Sequence, residues 1–354
     1  MQITKAEVIP LELKLHQPVR MAGLLPIASI TAIFVRLVTV KGQSAWGCTV
    51  AHPGLTGDEP QAVVRACQAC ATRVTDLPPL DLEYSLAELA PLAENAPTAL
   101  CAFDLAFHDL LGQATGLPLY KLMGGYRASL PTSVTIPLTD LESTVEMAER
   151  QAQQGFRMLK IKGGLDPDDD VKRVQAVHRA LPEHTLRLDP DGGYTVKQAI
   201  DVARALANAI EMIEEPTTPG DLLSLGEVTH NSPVPVMADQ SARGPASVLE
   251  LAARRLAHGV SVKVACCGGL RCAAQTDAIA RAARLVTMVG CLIEPALLIS
   301  AGLSFALSSP NVHYADLDGH LDLLNDPSIP GFQLKDGWLI ASGEPGLSCR
   351  VRLV

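Results

Sequence analysis

Aromatic residues are scarce in this chain: two Trp, five Tyr and six Phe, or 4% of 354 residues. Val, Leu, Ile and Ala must therefore fill the interior, and a hydrophobic content of 48% can supply an extensive core for one large domain and a smaller one. Positive charge is also in short supply, with a formal net charge of -9. There is no Lys/Arg run and no interleaving of basic and aromatic residues, which argues against nucleic acid and leaves small polar ligands as partners. No apolar run is long enough to span a bilayer, so no membrane association is expected. The start, MQITKAEVIPLELKL, alternates like a strand and lacks the charged and apolar regions of a signal peptide. Nine cysteines form an odd set without the spacing of a disulfide framework, and a reducing cytoplasm is the expected compartment. Cys67 and Cys70 make a C-x-x-C within a helical pattern, but no second pair or nearby histidine completes four ligands, so they read as buried thiols.

Two patterns divide the chain. Residues 1 to about 125 read as strands near 2–14, 29–40 and 43–49, followed by helices near 59–76, 83–93 and 97–115, an α+β order. From about 131, short apolar segments alternate with helical patterns: SVTI (133–136), MLKIK (158–162), TLRLD (185–189), EMIEE (211–215), VPVMAD (234–239), GVSVKV (259–264), LVTMVG (285–290) and VHYADLD (312–318). Near their ends stand Lys162, Asp189, Glu214, Asp239, Lys263, Gly290 and Asp316, at steps of 27, 25, 25, 24, 27 and 26 residues. A strand of about five residues, a helix of about twelve and two short loops fill such a step, which is the repeat of a βα unit in a parallel barrel. The expected fold class is α/β, a TIM-like (β/α) barrel over 126–320 beside an α+β domain over 1–125. The tail, 321–354, carries turns and short strands and is expected to pack back on the N-terminal domain. A cleft between the two domains is a favoured ligand site.

Strand C-termini converge at one mouth of such a barrel. Three successive strands end in Asp189, Glu214 and Asp239, whose mutual repulsion a hard divalent cation would relieve; an all-oxygen set suits Mg2+. A lone acidic residue at such a junction is more often a helix cap, but three at equal spacing favour a metal. Lys160 and Lys162 lie two apart in MLKIK and share one face, while Lys263 stands across the barrel by strand count. Inward lysines are costly to bury without anionic partners. Near a metal and a second ammonium their pKa is expected to fall, fitting them to act as bases. Two lysines on opposite sides of a substrate carbon can remove a proton from one face and return it on the other, with Mg2+ and Lys160 stabilising the enediolate. Asp316 and Asp318, spaced by two in D-L-D, would share one face and could hold an ammonium group. Thr135 and Glu294 are further candidate mouth residues.

The pieces K-I-K (160–162), L-D-P-D (188–191), I-E-E-P (213–216), A-D-Q-S (238–241) and V-K-V-A-C-C-G-G-L (262–270) resemble the muconate lactonizing enzyme subgroup of the enolase superfamily, over nearly the whole chain. That resemblance implies a capping domain over a modified barrel, Mg2+ at Asp189, Glu214 and Asp239, and bases at Lys162 and Lys263. The D-L-D segment looks like the D-x-D with which dipeptide epimerases bind the N-terminal ammonium of their substrate. A Mg2+-dependent dipeptide epimerase is therefore expected, and such barrels are usually homo-oligomers. Asp191, Glu215 and Gln240 depart from the Asn, Gln and Glu frequent in relatives, and Cys48 replaces a frequent Glu. Loops 16–27 and 51–59 of the cap would set side-chain preference, through residues such as Arg20 and Leu24. The first loop is mostly apolar, so Ala-Glu is less supported than hydrophobic or cationic dipeptides. Muconate cycloisomerase, o-succinylbenzoate synthase and N-acylamino acid racemase share the scaffold, but their substrates bring no ammonium to Asp316 and Asp318. A non-catalytic binding protein is the remaining alternative, and the intact lysines speak against it.

Overall fold

A computed structural model describes residues 1–353. The chain opens with an antiparallel sheet of β1 (Ile3–Val19), β2 (Ile27–Thr39) and β3 (Ser44–Ala51), against which α1 (Pro60–Arg73), α2 (Leu82–Leu89) and α3 (Thr98–Thr115) pack. Alternation explains the sheet: Ile33, Val35 and Leu37 of β2 enter a core with Val63, Cys67 and Cys70 of α1 and Phe103 and Phe107 of α3. The C-x-x-C pair thus lies in that core, and all nine cysteines are free. A short helix α4 (Leu119–Leu122) and strand β4 (Ser129–Pro131) lead into the barrel.

The barrel strands are β5 (Ser133–Ile136), β6 (Met158–Lys162), β7 (Thr185–Asp189), β8 (Met212–Glu214), β9 (Val236–Ala238), β10 (Gly259–Lys263), β11 (Val286–Gly290) and β12 (Val312–Ala315), paired in parallel in that order. Between them run α5 (Leu141–Gln153), α6 (Pro167–Ala180), α7 (Val196–Ala205), α8 (Leu222–Asn231), α9 (Pro245–Arg254), a single turn α10 (Val264–Cys267) with α11 (Leu270–Ala282), and α12 (Ala296–Ser308). Along each strand one set of side chains faces the helices, as Leu159 and Ile161 do with Val174 and Val177, and the alternate set faces inward. Met212, Met237 and Met288 form a separate inner cluster. Helix starts are capped by their own polar residues: Asp140 accepts from Ser143 N, Asp166 from Asp168 N, Thr195 forms a capping box with Gln198, and Asp221 accepts from Ser224 N. Asp189, Glu214 and Asp239 are not these caps, so the capping explanation of the three carboxylates falls away.

The edges β5 and β12 are joined by side chains. Ser133 Oγ donates to Asp316 Oδ1 at 2.7 Å, Leu317 N to Thr132 Oγ1 at 2.9 Å and Thr135 N to Asp318 Oδ2 at 2.6 Å. The D-L-D segment was expected on the eighth strand, but that strand ends at Ala315 and the two aspartates follow it, where their carboxylates take over the work of a hydrogen-bond ladder at the seam. In the tail, β13 (Ser328–Ile329) pairs with β16 (Arg350–Val351), and β14 (Gln333–Lys335) pairs with β15 (Trp338–Ile340), which adds to β4. Leu347 N donates to Asp109 Oδ1 on α3 at 2.9 Å, and Lys14 N donates to Asn325 Oδ1 at 2.7 Å. The tail therefore touches both the barrel entrance and the N-terminal sheet.

Arg187 lies inside the barrel below the mouth and is 1% exposed; its Nε donates to Glu211 Oε2 at 2.8 Å, its Nη1 to the carbonyl of Ala315 at 3.3 Å, and its guanidinium lies 5.0 Å from the Tyr314 ring centre. Removing one partner of a buried charge pair is strongly destabilising. Arg187→Ala is expected to lower stability by about 3–5 kcal/mol in urea denaturation followed by circular dichroism.

Candidate active site

β6 places both of its lysines inward because their spacing matches the pleat. Lys160 Nζ lies 2.8 Å from Asp189 Oδ2, 2.8 Å from Glu214 Oε2 and 2.7 Å from Asp316 Oδ2. Lys162 Nζ donates to Asp189 Oδ2 at 2.7 Å and to both oxygens of Asp191 at 2.8 Å. Four strands around the barrel, Lys263 Nζ donates to Asp239 Oδ2 at 2.6 Å. The small residue at Gly290 belongs to the same layer: a Cβ there would stand 2.7 Å from Ser261 Oγ and 3.2 Å from Lys263 Cε.

Above this layer lies a cavity of about 260 Å3 between the barrel mouth and the N-terminal sheet; Asp189, Glu214 and Asp239 are buried behind the lysines and do not form its wall. Lys160, Lys162, Lys263, Thr135, Asp316 and Asp318 all line it. From the expected loops, Leu24, Gly54 and Leu55 reach it. Arg20 does not line it; the turn after β1 leaves its carbonyl accepting from Leu138 N. Glu294 is buried beside it, its carboxylate accepting from Leu292 N at 3.1 Å, and it is not part of the cavity wall. Residues the sequence reading did not reach are Arg243, whose Nη1 donates to Thr56 O at 3.4 Å, Asp322, and Cys291, whose thiol donates to Asp318 Oδ1 at 3.6 Å. The available signals were position alone: Cys291 follows Gly290, and Arg243 follows Gln240 by three residues.

Two departures from the family pattern acquire contacts here. Asp191, at a φ of 48°, grips Lys162 and accepts from Gln240 Nε2 at 3.2 Å. Glu215, at a φ of 34°, accepts from Asp239 N at 2.6 Å and from the Ser241 hydroxyl. Such left-handed backbone in non-glycine residues is a strained arrangement that clusters at functional sites.

Burial opposes charge on Lys162 and Lys263, but Asp189 and Asp191 around the first and Asp239 beside the second prevail, and both pKa values are raised. The expected fall does not occur while the lysines are ion-paired. Burial pushes the Glu214 carboxyl upward despite Lys160, and burial with Asp316 raises Asp318. Six carboxylates, those of Asp189, Asp191, Glu214, Asp239, Asp316 and Asp318, thus face three ammonium groups. Among the described residues no three His, Cys, Asp or Glu side chains form a ready-made ligand cluster, because Lys160 is wedged between Asp189 and Glu214 and Lys263 holds Asp239. The donor set nevertheless fits a hard cation: it is all oxygen, it carries surplus negative charge, and Glu214 Oε1 is buried without any hydrogen-bond partner.

Residues 143–353 match the family model described as enolase C-terminal domain-like. The chain belongs to that family. Its enolase-like barrel and N-terminal sheet also match whole proteins. It is 34% identical to an L-Lys-D/L-Arg epimerase of Methylococcus capsulatus, covering 98% of each chain. The structure of the L-Ala-D/L-Glu epimerase from Bacillus subtilis in a substrate-liganded complex superposes with a TM-score of 0.96 at 30% identity, over 100% of both chains. A dipeptide epimerase from Enterococcus faecalis, complexed with Mg and L-Leu-L-Tyr, superposes with a TM-score of 0.95 at 29% identity, over 99% of each. No helix among the described residues is long and apolar enough to cross a membrane.

One group beside the mouth makes an acid-sensitivity test. His320 follows Asp318 in the next turn, edge-on to Phe332 at 5.4 Å, with its Nδ1 buried and unpartnered. Burial pushes its pKa from 6.5 down to about 4. As pH falls, the unfolded chain takes up this proton first, so the stability His320 contributes is complete above pH ~6.5 and is lost toward pH ~4, a change of about 3 kcal/mol. His320→Gln is expected to flatten the dependence of unfolding free energy on pH across that window, measured by urea denaturation at steps between pH 7 and 4.

Proposed function

We propose that the protein is a Mg2+-dependent dipeptide epimerase that removes the α-proton of the C-terminal residue and returns it on the opposite face. The observation that carries this reading is that Lys162 and Lys263, from strands four apart, enter one cavity whose side wall bears Asp316 and Asp318. The relatives named above act on dipeptides, which supports the same reading.

Asp189, Glu214 and Asp239 would hold the Mg2+, which when bound supplies Lewis-acid charge at the substrate carboxylate, where negative charge builds up. Lys162, through Asp189, and Lys263, through Asp239, each share a carboxylate with that ligand set, and Lys162 keeps Asp191 besides. Were the set occupied by the cation, the shared contacts would weaken, and repulsion from the cation and between the two ammonium groups would bring their pKa values down. One lysine then takes the α-proton while the other, protonated, delivers to the opposite face of the planar enediolate. Lys160, anchored on Asp316, adds positive charge where the enediolate oxygens develop. Asp318, with Oδ2 tied to Thr135 N and Oδ1 to the Cys291 thiol, is fixed for the α-ammonium of the N-terminal residue. An ammonium there would also relieve the charge that Asp316 imposes on Asp318.

We read residues 1–125 as the capping domain, with loops 16–27 and 51–59 setting side-chain preference, 126–320 as the catalytic barrel, and 321–354 as a tail that joins them. Leu24 and Leu55 in the cavity support the role of those loops. Nine free thiols support a cytoplasmic home. A homo-oligomer is the assembly we expect, and light scattering of the purified protein measures it.

The test is incubation with Mg2+ in D2O against a pooled dipeptide library containing L-Ala-L-Glu, L-Lys-L-Arg and L-Leu-L-Tyr, with α-deuterium followed by mass spectrometry. Deuterium gain in a subset is expected; no gain across the library would sink the epimerase reading. Lys162→Ala and Lys263→Ala are each expected to lose epimerisation by at least about 10²–10⁴-fold, and either variant epimerising at the wild-type rate refutes the two-base mechanism. Asp318→Asn is expected to raise KM for dipeptides about tenfold or more with a smaller effect on kcat, and unchanged kinetics would detach the D-L-D segment from substrate binding.

A further inference from the structure

A cluster of buried polar side chains stands behind Lys162, outside the cavity. Arg173 on α6 donates from Nη2 to the carbonyl of Lys162 at 2.7 Å and also to Asp170 Oδ1. Asp170 Oδ2 accepts from Gly164 N at 2.7 Å and from the hydroxyl of Tyr194. The three residues are 2–4% exposed, and Arg173 Nη1 is buried with no partner. A buried guanidinium with an idle donor and a buried carboxylate are costly features for a fold to retain. They grip the backbone on both sides of Gly163, where a Cβ would stand 2.7 Å from Asp170 Oδ2. Gly164, at a φ of 102°, continues the turn against the N-terminal loop, where a Cβ would stand 2.9 Å from Ala22 Cβ. The K-G-G sequence thus leaves room for the carboxylate to reach the main chain.

Lys263 is held in another way. Its strand runs directly into α10, and the turn closes on backbone alone, with Gly268 N donating to Ala265 O at 3.2 Å and Gly269 N to Val264 O at 3.0 Å. Among the described residues no side chain donates to the carbonyl of Lys263. The two bases therefore have supports of different chemistry: a buried carboxylate holds the turn directly after Lys162, whereas the turn after Lys263 closes on backbone and its nearest side-chain tie, Asp104 on Leu270 N and Arg271 N, lies further along the chain.

We infer that Asp170, with Arg173 and Tyr194, is a positioning group for Lys162 alone, so that it governs proton transfer on one face of the substrate carbon and not on the other. The inference rests on the epimerase reading. Small displacements of a reacting group cost rates steeply, about 10²-fold for 1 Å. Loosening the turn after Lys162 therefore slows α-proton exchange from the epimer whose proton faces Lys162 more than from the other, while net epimerisation, which uses both lysines, slows alike in both directions.

The experiment compares initial loss of α-proton in D2O from the two epimers of each of L-Ala-L/D-Glu, L-Lys-L/D-Arg and L-Leu-L/D-Tyr, using the full-length Mg2+-loaded protein. Asp170→Asn, which keeps the shape of the side chain, is expected to change the ratio of the two exchange rates about 10- to 100-fold relative to wild type. Tyr194→Phe, which removes a single hydroxyl, shifts the ratio the same way by less and serves if Asp170→Asn does not fold. Asp277→Asn is the control: that carboxylate is also buried, accepting from Ser309 and Asn311, and lies outside the catalytic layer. It is expected to leave the ratio unchanged. Equal slowing of both epimers by Asp170→Asn, or an unchanged ratio in Tyr194→Phe, overturns the positioning role while leaving the epimerase reading intact. Absence of exchange from either epimer by the wild-type protein overturns both.

Discussion

The ammonium of Lys160 is the pivot of the mouth. It is 3% exposed and touches carboxylates from three other strand ends, Asp189, Glu214 and Asp316. Each of these charges would be ruinous to bury alone, and together they are tolerable only because acids and bases interleave in one layer. That layer exists because the βα repeat brings every strand to the same height at its C-terminal end, so residues 24–27 apart in sequence become neighbours around a ring. Gly290 completes the ring by contributing no side chain, which keeps the space Lys263 occupies open. The same layer is the candidate catalytic apparatus, so stability and chemistry draw on one set of contacts. Burial, and after it the neighbouring carboxylates, raise the pKa values of Glu214 and Asp318, and a bound cation would relieve both costs.

Closure of the barrel and recognition of substrate are joined in the same way. β5 and β12 meet through Ser133, Thr132 and Thr135 on one side and Asp316, Leu317 and Asp318 on the other. A backbone ladder at this seam would use the same donors without leaving charge at the surface of the cavity. Carboxylates there accept the donors and still present lone pairs to a ligand. At the other side of the mouth Asp104, on α3, accepts from Leu270 N and Arg271 N at the start of α11, which fixes the N-terminal domain to the element that follows Lys263. A cavity formed between two bodies keeps its shape only if such ties hold them together.

Most of this layer was legible from spacing. Lys162, Asp189, Glu214, Asp239, Lys263, Gly290 and Asp316 were identified as one ring by their intervals, and the inward direction of Lys160 followed from period-two alternation. What spacing could not convey was where a strand stops. The D-L-D segment reads as strand, yet pairing ends at Ala315, because side chains satisfy the seam instead. Nor could it convey which partner a charged group finds: Asp191 was marked only as an unusual residue, and its bidentate hold on Lys162 depends on a left-handed turn that no local pattern announces. Arg20 lies in the expected loop yet turns away from the cavity, and Arg243 has no local signature because its approach to Thr56 joins residues 187 apart in sequence. The wall beside Asp318 was missed for the same reason, since Cys291 acquires meaning only once β11 and β12 are neighbours.

The division of labour within the cavity follows from this geometry. In the proposed reaction, the carboxylate, the α-carbon and the α-ammonium are common to every dipeptide, and the charged ring meets all three. Side chains are what distinguish one dipeptide from another, and they must face whatever the ring does not supply. Those surfaces are Met21 and Leu24 at the tip of the first hairpin, Leu55 after β3, Ile293 after β11, and the lone guanidinium of Arg243. Apolar walls discriminate weakly, by roughly 1–3 kcal/mol per methylene, whereas a buried polar partner rejects what cannot pair with it far more strongly. In that reaction the apolar residues would set how large a side chain fits, while Arg243 and Asp322, both exposed at the rim, would add a charge preference that solvent screens.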